Sequence, residues 1–207
     1  MRWVSVAPER IGGWTERFVA GHGGLASSTV DSDAVVLKAV DGTVAECRVP
    51  FPPLVGDDLV AHALRDRRVG VLLVRLGGHA AGIFAGTALA ASKVGSRPVH
   101  GRSAAGGQSQ QRFARRREGQ ARVALAAAAD MAAAVLVPEV STLDAVVLGG
   151  DRRAVDGTLA DPRLAPLRPL VTGPLLDVPD PRFRVLEQAP ALFRAVRIRL
   201  TDPPGRA

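Results

Sequence analysis

Residues 106–108, with the sequence Gly-Gly-Gln, are the part of this 207-residue chain whose residue types best suit chemistry. Two adjacent glycines let the backbone take positive φ angles and approach another surface with no Cβ in the way. The amide of Gln108 both donates and accepts hydrogen bonds, and its backbone N–H is available where a loop turns into a helix. Such a tip can orient a water molecule and donate to a developing oxyanion. Because it supplies no strong base, the segment predicts a hydrogen-bonding tip rather than a self-contained acid–base site.

Arginines are concentrated around this tip. Between Arg97 and Arg122 the chain has seven arginines and one acidic residue, Glu118. A basic run of this density predicts a surface that faces phosphates, and a solvated helix face is the alternative. A neutral amide suits a site crowded with phosphate, where a carboxylate would be repelled. The arginines that we expect to contact RNA are Arg102, Arg112, Arg115, Arg116, Arg117 and Arg122.

Other reactive residue types are scattered along the chain. His100 lies near the loop and is a candidate general acid or base, with a solvated histidine as the alternative. His79 is predicted to be a turn residue, and Cys47 a buried small hydrophobe within a strand. We expect no metal and no cofactor. Two acidic pairs are predicted to be helix caps and turn starters rather than metal ligands: Asp57 with Asp58, and Asp31 with Asp33.

Composition favours a globular protein with a basic surface. The apolar fraction of 47% is enough for a core, and the formal net charge is +7. The one cysteine excludes an internal disulfide framework. The N-terminus lacks the apolar region of a secretory signal, and the Ala-rich stretch 123–137 contains Asp130 and is expected to be too short to cross a bilayer. We therefore expect a soluble protein of a reducing compartment that does not associate with membranes.

The first third of the chain is predicted to contain strands and short helices. Asp41-Gly42 separates the two strands of a hairpin, because this dipeptide tolerates the positive φ of a tight turn. One short helix is predicted around Trp14–Ala20. Another is predicted from Asp57, acting as its cap, to about Arg67.

The rest of the chain is predicted to alternate between strands and helices. Two strands turn near Gly77-Gly78, and 87–94 extends into a third element. A long helix is predicted over 109–136, because apolar residues recur there at helical spacing. A continuous apolar strand over 143–150 is typical of a buried position in a mixed sheet. The last predicted elements are a strand within 168–176, a short helix around 189–194 and an edge strand over 195–200. This order predicts an α/β fold, with a mixed β-sheet and packed helices.

The central motif carries a resemblance to a known family. The matching residues are Gly106, Gly107, Gln108 and Ser109, then Arg112, Phe113, Ala114 and Arg115. They resemble the signature of the eukaryotic and archaeal class I peptide-chain release factors, which is Gly-Gly-Gln and Ser, two variable residues, then Arg-Phe-Ala-Arg. The strand over 143–150 with its glycine pair is similar to the strand and turn that follow in that family's middle domain. The resemblance covers residues 66–175.

The resemblance implies a domain organisation. It suggests a catalytic domain over 66–207 with an RNase H-like core, a protruding Gly-Gly-Gln loop over 95–108 and the long helix behind it. Residues 1–65 are then a strand-hairpin region integrated with the core or flanking it. We expect neither the domain that reads the stop codon nor the one that recruits a GTPase in a chain of this length. This organisation is similar to the stand-alone Vms-like release factor branch, although Ser103–Ala105 lengthens the loop before the glycines.

The resemblance also implies a function. It suggests a codon-independent peptidyl-tRNA hydrolase that rescues stalled ribosomes or large subunits, with Gln108, Gly106 and Gly107 at the catalytic tip. The implied partners are peptidyl-tRNA, rRNA and the peptidyl-transferase centre of the large subunit, and we expect a cytoplasmic monomer. Phe113 is predicted to anchor the helix, with base stacking as the alternative. Two other functions stay open: an endonuclease that cuts the tRNA 3′ end, and a non-catalytic module that binds RNA or ribosomes.

Overall fold

The computed structural model describes residues 1–75, 77–96 and 108–203, and for residues 108–117 it describes the backbone alone. The chain forms two compact units. The first comprises Met1–Asp66 together with the chain from Ala191 onward, and the second comprises Arg67–Pro190.

The first unit contains a five-stranded antiparallel sheet with helices. Its strands are β1 (Arg2–Val6), β2 (Leu25–Val30), β3 (Ala34–Ala39), β4 (Val44–Arg48) and β9 (Val196–Thr201), in the spatial order β1, β9, β4, β3, β2. Its helices are α1 (Ile11–Gly21), preceded by a 3-10 turn at Pro8–Arg10, and α2 (Leu59–Leu64). The short α6 (Pro190–Phe193) leads into β9.

Strict alternation of side chains gives this sheet one apolar face. In β9, Val196, Ile198 and Leu200 are buried, whereas the residues between them point to the opposite face. The buried residues of the strands form one core cluster with Ile11 and Phe18 of α1. The first unit is therefore a two-layer arrangement, with its helices packed on one face of the sheet.

The turn between β3 and β4 confirms the predicted hairpin. Gly42 has a φ of 89°, and the Asp41 carboxylate accepts a hydrogen bond from the Thr43 N–H at 2.9 Å. Asp41 also lies 2.9 Å from Nδ1 of His22. The hydrogen bonds from His22 and from the Thr43 N–H lower the pKa of Asp41 to about 2.

Three features of the first unit differ from the sequence predictions. The predicted edge strand, β9, lies between β1 and β4, so its backbone N–H and C=O groups pair with a strand on each side. The chain from Ala191 therefore belongs to the first unit, although the sequence analysis placed it with the second. The cap of α2 is Asp58 rather than Asp57, and it accepts hydrogen bonds from the N–H groups of Val60 and Ala61.

The second unit contains a four-stranded mixed sheet. Its strands are β5 (Arg68–Val74), β6 (Gly78–Ala85), β7 (Ala88–Ser96) and β8 (Ala145–Gly150), in the order β7, β6, β5, β8. Only the β5–β8 pair is parallel among them. Its helices are α3 (Gln108–Leu136), α4 (Arg152–Leu159) and α5 (Phe183–Glu187), with 3-10 segments at Val137–Thr142 and Pro162–Leu170. The predicted turn at Gly77-Gly78, the long helix and the buried strand before Gly149-Gly150 are all present, and the mixed α/β class is confirmed.

The core of the second unit lies between α3 and the sheet. Ala128, Ala132 and Leu136 are fully buried in one cluster with Leu72 and Ile83 of the sheet. Small alanine side chains on this face let the helix approach the strands closely. Residues Glu118–Thr142 are long and apolar enough to span a membrane by length and composition alone, and longer than the sequence analysis expected. A core helix passes the same test, and here the helix packs on the sheet.

Two predictions for the second unit are wrong. The segment 168–176 forms isolated bridges, Val146 with Val171 and Gly149 with Leu176, instead of a strand. Prolines within this segment lack the N–H that a ladder requires. His79 is not a turn residue, because it lies within β6 and is 5% exposed.

Candidate functional site

Gln108 is the first residue of α3, directly after the two glycines. Gly106, Gly107, Arg102 and His100 lie outside the described residues, so their predicted roles stay predictions. The backbone places Arg112, Arg115, Arg116 and Arg117 within the first ten residues of the helix. The structure therefore brings the predicted catalytic glutamine and most of the predicted RNA-binding arginines onto one helical segment.

The helix is long and is anchored far from Gln108. Its 29 residues correspond to about 43 Å at 1.5 Å per residue. Among the side chains that the structure describes in α3, from Glu118 onward, the first buried one is Ala124. Gln108 is therefore about 24 Å along the helix axis from that residue.

Helical periodicity separates the basic positions from the anchored ones. At 3.6 residues per turn, positions 108, 112, 115 and 116 fall on the side of α3 opposite to positions 128 and 132, which are buried. Position 117 falls nearer the anchored side. Arg122 is exposed. The register therefore groups Gln108 with three of the predicted RNA-binding arginines.

The start of α3 is also electrostatically suited to an anionic group. The first four N–H groups of a helix have no intrahelical partner, and the aligned peptide dipoles make this end positive. The arginine positions add formal positive charge to the first turns. An arrangement of this kind stabilises a phosphate or a developing oxyanion.

The strand β7 ends at Ser96, directly before the 97–107 segment, and its last residues make a close contact. Gly95 pairs with His79 across the sheet. A Cβ built at Gly95 would lie 2.6 Å from Nε2 of His79 and 3.0 Å from Cε of Met131 on α3. The absent side chain thus leaves room for a buried imidazole and a helix residue beside the last residues of β7. Sequence reasoning missed this contact, since no local pattern links these three positions.

An exposed ion pair joins the anchored half of α3 to the segment Pro162–Leu170. Arg163 Nη2 lies 2.7 Å from Asp130 of α3 and 2.7 Å from Asp161. Hydrogen bonds from the Arg163 side chain and its N–H lower the pKa of Asp161 to about 2. At the end of β8, Asp151 caps α4 by accepting a hydrogen bond from the Ala154 N–H at 2.9 Å. The anchoring of α3 itself comes from burial, since its residues share one core cluster with Val155 of α4 and Leu164 of the 3-10 segment.

Other chemistry is not supported in the described part of the chain. Among its residues, no group of three or more His, Cys, Asp or Glu side chains is placed to hold a metal ion. Cys47 is fully buried in β4, which confirms its interpretation as a buried small hydrophobe within a strand, and this burial raises its pKa to about 12.

Comparison with known proteins identifies the family. A family model described as the Actinobacteria/Chloroflexi VLRF1 release factor matches residues 67–199, nearly two thirds of the chain. The chain belongs to this family. The match to VLRF1 begins where the second unit begins and runs into β9. It confirms the resemblance to release factors that the Gly-Gly-Gln motif indicated.

Two solved archaeal structures are similar to this chain. The crystal structure of the archaeal translation termination factor aRF1 is 16% identical, with a TM-score of 0.45, and the match covers 76% of this chain and 51% of that one. A second, described as an archaeal protein, is 16% identical with a TM-score of 0.40, covering 74% and 48%. The VLRF1 chain thus spans about half the length of the structures it matches. Comparison with curated proteins finds no match.

Proposed function

We propose that this VLRF1 chain is a codon-independent peptidyl-tRNA hydrolase that releases nascent chains from stalled ribosomes or from large subunits. Two observations support the proposal. The chain belongs to a release-factor family, and its Gly-Gly-Gln motif ends on the first residue of a long helix. The second observation carries the proposal, because an anchored helix is suited to presenting a short tip at a distance from its own core.

The reaction is the hydrolysis of an ester. A water molecule adds to the carbonyl that joins the peptide to the 3′-terminal ribose of tRNA. The bond between that carbon and the ribose oxygen then breaks, giving a peptide carboxylate, a tRNA with a free 3′-hydroxyl and one proton. Gln108 positions the water or donates to the oxyanion, through its side-chain amide or its backbone N–H.

The arginines bind the RNA. Arg112, Arg115 and Arg116 bind phosphates of rRNA or of the tRNA acceptor stem, each with up to five donors in a planar fork. Arg102, Arg117 and Arg122 extend this contact. Since the tip contains no strong base, the RNA of the peptidyl-transferase centre completes the active site.

The same proposal includes the loop that carries the two glycines, the type of core, the cellular compartment and the oligomeric state. Since β7 ends at Ser96 and α3 begins at Gln108, the predicted loop over 95–108 is limited to 97–107. In the proposal, this segment protrudes from an RNase H-like core in the second unit and presents Gly106 and Gly107 to the tRNA terminus. The protein acts as a cytoplasmic monomer, because its substrate is a ribosomal complex and one tip reaches one peptidyl-transferase centre.

Loss of the Gln108 amide tests the catalytic assignment. We expect Gln108→Ala to slow the release of labelled peptide from stalled ribosome–peptidyl-tRNA complexes by about 10²- to 10³-fold, the cost of removing one oxyanion-hole donor. Gln111→Ala is the matched control, since it removes the same amide one turn away, and we expect it to retain the wild-type rate. Equal rates for Gln108→Ala and wild type would show that the assignment is wrong.

The tRNA product separates ester hydrolysis from the alternatives. An intact 3′ end after release supports the hydrolase, whereas a shortened tRNA indicates phosphodiester cleavage. Ribosome binding without release by the wild-type protein indicates a binding module.

A further inference from the structure

Among the residues of the first unit that the structure describes, the helices cover one face of the sheet and not the other. The helices pack on the face that carries Val196, Ile198 and Leu200, so the alternate residues of each strand point away from that core. We call the alternate residues of the five strands the open sheet face. They include Trp3 and Ser5 on β1, Arg197, Arg199 and Thr201 on β9, Glu46 and Arg48 on β4, Val36 and Lys38 on β3, and Ser27 and Thr29 on β2.

The open sheet face is basic at its centre. Arg197 and Arg199 of β9 lie beside Arg48 and Glu46 of β4, in register. Glu46 is the only acidic residue among those of the open sheet face, and its side chain is 13% exposed, against 48% for Arg48 and 38% for Arg199. It pairs with Arg48 at 2.5 Å and with Arg199. One shielded carboxylate therefore orients two guanidinium groups that remain open to solvent.

The acidic residues next to these strands lie at the ends of the sheet. Asp31 and Asp33 are in the turn between β2 and β3, Asp41 is in the turn between β3 and β4, and Asp202 follows β9. Lys38 adds a further cation within the strands. The central part of the open sheet face therefore carries a net positive charge.

An aromatic ring lies next to the arginines. Trp3 is 50% exposed although it is a large apolar side chain, and Cζ of Arg197 lies 5.0 Å from its ring centroid. The stacked guanidinium holds the indole in place and leaves part of the ring open to solvent. Because arginines bind phosphates and an open ring binds unstacked bases, the pair matches the two components of a nucleotide.

We propose that the open sheet face binds single-stranded RNA, with a base stacked on Trp3 and the backbone phosphates bound by Lys38, Arg48, Arg197 and Arg199. Single-stranded RNA is favoured over a duplex because only unstacked bases expose a ring to a flat sheet. An acidic peptide matches the charge but leaves the indole without a partner. This surface belongs to the first unit, whereas Gln108 belongs to the second, so it would give the protein a second RNA contact.

The two tryptophans allow a local test, because the chain contains no tyrosine and only Trp3 and Trp14. Trp14 belongs to α1, in the helical layer, and stacks on Phe18 with ring centroids 5.5 Å apart. In a Trp14→Phe variant of the full chain, the indole emission reports on Trp3 alone. We expect a 12-nucleotide oligouridine to quench this emission over the same concentrations at which fluorescence anisotropy reports RNA binding. In a Trp3→Phe variant, the same oligouridine should leave the emission of Trp14 unchanged.

Substitutions separate stacking from charge. Trp3→Leu is expected to weaken binding by about 5- to 150-fold, as the loss of one stacked base does, without changing the salt dependence. Arg48→Ala with Arg197→Ala is expected to reduce the slope of log K against log salt by about 1.4. Arg17→Glu on α1, in the helical layer, is the control for Arg197→Glu, and we expect only the latter to weaken binding strongly.

The contribution of α3 is removed by repeating the titration in a chain with alanine at 112, 115, 116 and 117. Quenching of Trp3 in that background supports the proposal. Unchanged Trp3 emission while anisotropy reports bound RNA would overturn it, as would no binding at all, or equally tight binding of a 12-residue poly-glutamate peptide. None of these results depends on peptide release, so the Gln108 assignment is tested separately.

Discussion

Replacement of Gly95 by alanine tests how the strand before the 97–107 segment is held. The added methyl would lie 2.6 Å from Nε2 of His79 and 3.0 Å from Cε of Met131. The methionine tip can move, but the imidazole is 5% exposed and has little space to turn. Either the ring leaves its position or β7 shifts, and overpacking of this kind costs about 1–3 kcal/mol of unfolding free energy.

The assay is urea unfolding of Gly95→Ala, His79→Ala and the double variant. Alanine at 79 removes the ring with which the new methyl collides, so the double variant should be more stable than the sum of the single changes predicts, by about 1 kcal/mol or more. Gly119→Ala is the matched control, because a Cβ there meets nothing within 4 Å. It should raise stability by up to about 1 kcal/mol through helix propensity.

The same variants test a functional consequence. If the position of β7 determines where the 97–107 segment begins, Gly95→Ala should slow peptide release and Gly119→Ala should not. Additive free energies in the cycle, within about 0.5 kcal/mol, would refute the proposed collision.

Three further predictions concern the junction between β8 and α4 and the hairpin of β3 and β4. Asp151→Ala removes the cap of α4 and should lower the unfolding free energy by about 1 kcal/mol in urea titrations, whereas Asp151→Ser should recover most of it. Gly150→Ala should prevent soluble expression or strongly lower the unfolding free energy, because Gly150 has a φ of 105° and a Cβ there collides with the carbonyl oxygen of Val74. Asp41 has a folded pKa of about 2, below its unfolded value, so it stabilises the first unit above about pH 4 and loses this effect as the pH falls towards 2. Asp41→Asn should therefore flatten the acid branch of the stability curve measured by circular dichroism.

Local features could be predicted from the sequence because they depend on residues close in the chain. The Asp41-Gly42 hairpin follows from backbone preferences at two positions, and the long helix follows from apolar spacing over 109–136. The Gly-Gly-Gln motif with its arginines indicated the release-factor family, which the match over residues 67–199 confirms. Gly106 and Gly107 lie outside the described residues, so the site itself remains a prediction from residue types.

The structure of the first unit depends on pairings that no local pattern encodes. The sequence predicted an edge strand over 195–200 but could not show that it lies between β1 and β4, since β1 is nearly 200 residues away in the chain. Strands select their neighbours through hydrogen bonds and buried faces that form only in the folded chain.

By itself, the sequence predicted the chemistry of the Gly-Gly-Gln motif and its arginines, and it determined the helix on which Gln108 and most of these arginines lie. Only the tertiary structure decided which residues meet at the base of that helix, where Gly95 makes room for His79 and Met131, and which strand residues share the open sheet face. The physical reason is that backbone preference and periodicity act over a few residues. Close packing and strand pairing instead join positions that are far apart in the chain.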